Sequence, residues 1–240
     1  ERPRVSPVPH RRAGPPNAAG VILERWPKSP LAGRAMALRA EARLKSGDYA
    51  RAREDFRWLG GQAANDDERL TFLLREPDCL EAGRHYDQEL TLLQDELSHV
   101  PEVLPADTTG GRRPTAPTAA GAQRWGRLMV RYGSAHLLAG NLHEALDAYQ
   151  RSPLASPRTE LAAEAQYRIG FAQETVAEDF DAARAQYARV REISAVGSPA
   201  TLAAQRLGNL ERLAQYRSAT DDTVQKRAEA GFLLAELYLF

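Results

Sequence analysis

The sequence predicts an all-α fold built from repeated antiparallel helix hairpins, and three observations carry that expectation. Three twelve-residue stretches, KSGDYARAREDF (45–56), LAGNLHEALDAY (138–149) and VAEDFDAARAQY (176–187), share one pattern. Each has a turn residue, Asp or Asn, then Tyr, Leu or Phe, an alanine three places on and an aromatic four beyond that. The stretch before the turn repeats too, MALRAEARLKSG (36–47) aligning without gaps on MVRYGSAHLLAG (129–140). Finally, aromatics make up only 7% of the 240 residues while alanine and arginine abound, a composition that suits helix over sheet.

Residues 1–30 are rich in proline and arginine, which prevents helix and predicts an extended or disordered arm. Residues 1–35 hold seven basic side chains (Arg2, Arg4, Arg11, Arg12, Arg25, Lys28, Arg34) against two acidic ones (Glu1, Glu24). The arm reads as a tether, or as a docking segment that lies along a partner or an acidic surface. Trp26 and the apolar stretch 21–23 suggest that its last part packs.

Residues 31–100 form a first helical block, with one hairpin turning at Gly47 and ending near Trp58. A polar break over 60–68 and a short helix over 69–75 follow. A long amphipathic helix is then expected from Leu80 to Val100, with Tyr86, Leu90, Leu93 and Leu97 on one face. Pro101, Pro105, Pro114 and Pro117 mark a Pro/Gly-rich loop over 101–118. Gly47 and Gly140 are 93 residues apart, so a degenerate hairpin plus this loop fills the interval.

Residues 119–240 are the clearest array, with helices expected at 119–139, 142–152, 159–177, 180–194 and 199–217. The segment 228–240 reads as another first helix, with Ala235 in the small position. The sequence stops where the next turn glycine is due. It is therefore expected to be a piece of a longer array or to be closed by an unusual terminal helix. Its start at Glu1 without an initiator methionine suggests a processed chain or a fragment.

The pattern has a physical basis. Gly47 and Gly140 stand where a helix stops and the chain turns back, which the left-handed conformation allows. Asp48, Asn141 and Asp179 are expected as N-caps, and Asn141 with Glu144 comes close to a capping box. Ala40 and Gly133 in first helices, and Ala52, Ala145 and Ala183 in second helices, are small enough for close crossing. Phe56, Tyr149 and Tyr187 lie four residues past those alanines, on the same face. The third copy has Glu178 at the glycine position, and Gly170 lands one place early, which requires one inserted residue.

Composition and motifs weigh against several function classes. The 32 basic and 32 acidic side chains balance, which argues against a general nucleic-acid or anionic-membrane binder. The sequence has no run of 18 apolar residues that would cross a membrane. The single cysteine, Cys79, excludes an internal disulfide and reads as a partly buried, inert thiol. Among the histidines, only His136 and His143 are close in sequence, and they straddle a helix break. His85 lies four residues after Glu81 but has no further ligand nearby. The glycines of TTGGRRP (108–114) lack the lysine and setting of a phosphate loop, and no serine sits in a nucleophile elbow. No catalytic residue, metal ligand or cofactor is expected.

The turn and second helix quoted above resemble the tetratricopeptide repeat, a two-helix unit of about 34 residues that stacks into an α-solenoid. The resemblance implies a non-catalytic scaffold or adaptor whose first helices line a concave groove for a peptide or protein segment. Carried onto this sequence, the groove candidates are Arg34, Glu41 and Lys45, then Arg127, Arg131 and Ser134, then Arg168, Phe171 and Glu174. Arg127, Arg131 and Arg168 would make a positive stripe suited to an acidic segment or a carboxylate terminus. The lysine and asparagine set of a dicarboxylate clamp is missing. The alternatives are a permanent structural subunit of a larger assembly, or a ligand-sensing regulatory domain. Within the family, EAQYRIGFAQE (164–174) is most similar to bacterial envelope proteins of the outer-membrane assembly lipoprotein and Tol–Pal coordinator type. That likeness favours the periplasm over the cytoplasm, with any membrane tether outside the given chain. A mature lipoprotein would begin with cysteine rather than Glu1.

Overall fold

The computed structural model describes residues 18–26, 28–103, 118–154, 156–218, 228, 229, 231, 232 and 235. The first part of the expected arm, most of the 101–118 loop and most of the final segment therefore lie outside the described residues. The described residues hold eleven α-helices and no strand: α1 (Ala18–Arg25), α2 (Ala32–Lys45), α3 (Tyr49–Gln62), α4 (Asp66–Leu73), α5 (Arg75–Ala82), α6 (Tyr86–Ser98), α7 (Ala119–Leu138), α8 (Leu142–Arg151), α9 (Glu160–Thr175), α10 (Phe180–Ile193) and α11 (Ser198–Ser218). A single 3-10 turn, Ser152–Leu154, follows α8. From α7 onward the helices lie within two residues of the expected bounds. None of the described helices is long and apolar enough to cross a membrane.

The chain divides into two compact units, one ending at Gly83 and one beginning at Arg84. In the first unit α2 packs on α1 and α3, and α3 packs on α4 and α5. In the second, α7 packs on α6, α8 and α9, while α9 packs on α8, α10 and α11. The α6–α7 contact spans the expected loop, so that loop does not mark a division in the packing.

The hairpins rest on a small residue facing a ring. Ala52, Ala145 and Ala183 are all fully buried, as are Phe56, Tyr149 and Tyr187 or very nearly so. A Cβ on Gly133 would stand 2.7 Å from Cε1 of Tyr149, and one on Gly170 would stand 2.7 Å from Cε1 of Tyr187. Both rings are pinned at the far end. Tyr149 donates its hydroxyl to Ser134 Oγ at 3.1 Å, and Tyr187 donates to Glu174 Oε2 at 2.5 Å. In the first hairpin Ala40 packs with Phe56, which has no hydroxyl to tether.

The turns repeat at backbone level. Gly47 and Gly140 both sit at φ 84°, and the next amide reaches back five residues, Asp48 to Arg43 O and Asn141 to His136 O. In the third copy Glu178 takes the left-handed place at φ 54°, and Asp179 reaches back six residues to Gln173 O. The inserted residue that the sequence required therefore lies in this turn.

Four expectations are corrected. Within the arm expected to be extended over 1–30, residues 18–25 form the helix α1, because no proline falls between Pro16 and Pro27 and AAGVILER offers an uninterrupted run that packs on α2. The helix foreseen from Leu80 to Val100 is broken, because α5 ends at Ala82 and α6 starts at Tyr86. Arg84 sits at φ 59° and His85 at φ −95°, ψ 56°, close to Asp48 at φ −85°, ψ 62° and Asn141 at φ −93°, ψ 72°. The backbone angles of the other turns are repeated here, with Glu89 in the alanine place and Leu93 in the aromatic place. The polar break is also shorter than expected. The helix α3 runs through Gly60 to Gln62, and α4 begins at Asp66, capped by Asn65, which accepts from Glu68 N, while Glu68 accepts from Ala64 N just before the cap. Asp48, Asn141 and Asp179 all stand at the N-cap position as expected, but only Asp179 accepts a helix amide through its side chain, from Ala182 at 2.9 Å. Asp48 turns to Arg51 and Asn141 to His136 instead, so Asn141 and Glu144 form no capping box.

The Gly–Tyr contacts generate one expectation. Replacing Gly133 or Gly170 by alanine gains about 1 kcal/mol of helix propensity but overpacks a pinned ring at a cost of about 1–3 kcal/mol. Urea denaturation should show a net loss for each single variant. Pairing Gly133→Ala with Tyr149→Phe should recover part of that loss, because the ring is then free to shift.

Candidate functional site

Of the groove candidates, three fall in the first unit. Arg34 and Lys45 on α2 are exposed. Glu41 is half-buried and accepts from Arg75 Nη2 on α5 at 2.7 Å to each carboxylate oxygen. The same guanidinium bonds Asp78 and lies over the Phe56 ring, 5.3 Å from its centroid. Nearby, Asp55 is held by Arg39 and Arg43 at 2.7 and 2.6 Å, and Glu76 by Arg57 at 2.9 Å.

The other six fall in the second unit, and the interior takes up three of them. Arg131 pairs with Glu89 of α6 at 2.9 Å, and Glu89 is 0% exposed. Seven residues earlier on α7, Arg124 pairs with Glu96 of α6 at 3.0 Å. The equal spacing in opposite order shows that α6 and α7 run antiparallel along a two-pair seam. Ser134 is buried, donating to Val130 O at 3.1 Å while accepting from Tyr149. Glu174 is 0% exposed and accepts from both Tyr187 and Arg206 Nη1, the latter at 2.8 Å. Burial and then Glu174 hold the Tyr187 hydroxyl well above its ordinary pKa, so it remains the proton donor.

Arg127, Arg168 and Phe171 retain access to solvent. Arg127 is half-buried and has no partner among the described residues. Arg168 reaches Glu164 only at 3.5 Å, with 39% of its side chain exposed. Phe171 is half-buried beneath Arg206, whose guanidinium lies 4.9 Å from the ring centroid. Glu89 and Glu174 were not legible as interior residues, since a carboxylate on a helix is normally solvated.

A cleft that the sequence did not indicate opens on the other side of α7. It is a trough of about 570 Å³ with α7 as its floor and α6 and α8 as walls. Trp125, Met129, Tyr132 and His136 recur at helical spacing to form the floor, and Leu97 comes from α6. The rim carries Glu102, Glu144, Asp147 and Arg151. Arg151 is already bonded to Glu102, lies 3.5 Å from Asp147 and sits over the Trp125 ring. Tyr132 and His136 meet edge to face at 4.4 Å. Burial lowers the His136 pKa against a weaker opposing effect of Glu144, which favours the neutral ring. Arg127 is two residues from Trp125, about 200° round the helix, and so faces away from the trough.

Cys79 is 1% exposed within α5. Burial, followed by the Asp78 charge, pushes its thiol from 9.0 up to about 11. Among the described residues no three His, Cys, Asp or Glu side chains group as metal ligands would.

No protein-family model matches the sequence, and no curated protein matches it.

Two expectations follow from these environments. Arg131→Glu would set a second carboxylate against fully buried Glu89, and breaking such a pair costs about 3–5 kcal/mol. Arg127→Glu should stay within about 0.5 kcal/mol of the parent, so thermal unfolding of the two variants should differ sharply. Cys79 should resist iodoacetamide at pH 8 in the folded chain and react readily in guanidinium. Because its folded pKa lies above the unfolded value, its contribution to stability is present below pH 9 and lost as pH rises through about 11.

Proposed function

We propose that this chain is a non-catalytic, tetratricopeptide-like scaffold that holds a peptide or protein segment along the first helices of its hairpins. The observation that carries this reading is the side-by-side packing of alternate helices, α7 on α9 and α9 on α11, while α7 and α9 each keep a hairpin partner. Such a layer offers a continuous surface to an extended segment. Arg127 and Arg168 are the guanidinium groups on it with room to pair outward, and an acidic segment is the chemistry they suit.

Exposed apolar side chains favour a second reading, a permanent subunit of a larger assembly. Leu31 and Leu38 on or beside α2 are 52% and 68% exposed, and Trp58 on α3 is 43% exposed. An adaptor would be expected to show a polar surface there. A subunit would bury these residues against a neighbour.

The test is affinity capture from the source cell with the full chain, beside a variant carrying Arg127→Glu and Arg168→Glu. Both changes avoid the buried Glu89 and Glu174 pairs, and circular dichroism would verify that the variant folds. A partner retained by the parent and lost by the variant is the expected result. Equal capture by both would overturn the groove. Loss of that partner on Leu38→Asp with Trp58→Ser would support the subunit reading.

A further inference from the structure

We propose that the trough between α6 and α8 takes an extended peptide segment carrying arginine or lysine. This goes beyond the groove proposed above, since it concerns the opposite side of α7 and the opposite sign of charge.

The lining argues for that occupant. The floor is Tyr132 above the buried Met129 and Trp125, so it is an apolar base on which the stem of a long basic side chain can lie chiefly against Tyr132 and Leu97. Tyr132 is half-buried in the trough lining and meets His136 edge to face. Three rim carboxylates face one guanidinium, with His136 and His143 also in the lining. Arg151 is taken up by Glu102 and Asp147, while exposed Glu144 has no ion-pair partner among the described residues. An incoming guanidinium or ammonium would complete the set between Glu144 and Asp147. A volume of about 570 Å³ falls within the range of pockets that enclose a ligand group.

Isothermal titration calorimetry on the full chain would test this, using a short acetylated Pro–Arg repeat peptide and its Pro–Glu counterpart. One variant carries Glu144→Gln and Asp147→Asn. The control carries Glu178→Gln and Asp181→Asn, which remove the same charge beside α10, away from the trough. The Pro–Arg peptide should bind the parent, the Pro–Glu peptide should not, and the trough variant should lose about tenfold in affinity. The control should stay within about twofold of the parent. Equal loss in both variants would reduce the effect to diffuse charge and overturn the proposal. Absence of Pro–Arg binding, or equal binding of Pro–Glu, would also overturn it. So would a parent dimer in sedimentation that the trough variant loses, because the occupant would then be a second copy.

Discussion

The contact on which the second unit depends is a side chain reduced to hydrogen packed against a tyrosine ring that cannot move. Gly133 admits Tyr149, and Gly170 admits Tyr187, at a distance no Cβ could share. Each ring also holds a hydroxyl bond, to Ser134 or Glu174, so its depth in the hairpin is set at both ends. The first hairpin solves the same crossing with Ala40 and Phe56, where no hydroxyl fixes the ring. The two solutions are each self-consistent and cannot be mixed one residue at a time, as expected of positions that share a contact.

Buried carboxylates form the second recurring device. Asp55, Glu76, Glu89 and Glu174 are all buried, and each is met by arginine from a neighbouring helix or, for Glu174, by arginine together with tyrosine. Such pairs add little net stability over an apolar equivalent, but losing one partner is costly. They therefore penalise misplaced packing more than they strengthen correct packing. The antiparallel register of α6 and α7 is written in this way, by Arg124 with Glu96 and Arg131 with Glu89.

How legible this was depended on which residues carried the signal. The alanine and aromatic places are apolar and periodic, so the three hairpins and the extra residue before Asp179 could be read from the sequence. The fourth turn escaped because its glycine sits one place early, at Gly83, with a carboxylate at Glu89 where alanine was expected and Leu93 in place of an aromatic. Arginine proved the least legible residue type. Arg127, Arg131 and Arg168 look alike in sequence, yet one has no partner among the described residues, one neutralises a buried charge and one reaches a neighbour on its own helix. Helical spacing does place Trp125, Met129, Tyr132 and His136 on one face. Whether that face meets another helix or opens as a trough depends on how α6 and α8 flank it, which no local pattern encodes.

The α6–α7 seam also separates packing from chain length. Fourteen residues, 104–117, lie between its described ends. Doubling the number of residues that join two helices costs only about 0.6 kcal/mol in closure entropy, whereas shifting the seam by one residue would forfeit both of its ion pairs. Insertions and deletions can therefore accumulate in the connection while the seam stays fixed. The register of α6 against α7 is thus set by its two ion pairs and not by the number of residues that join the helices.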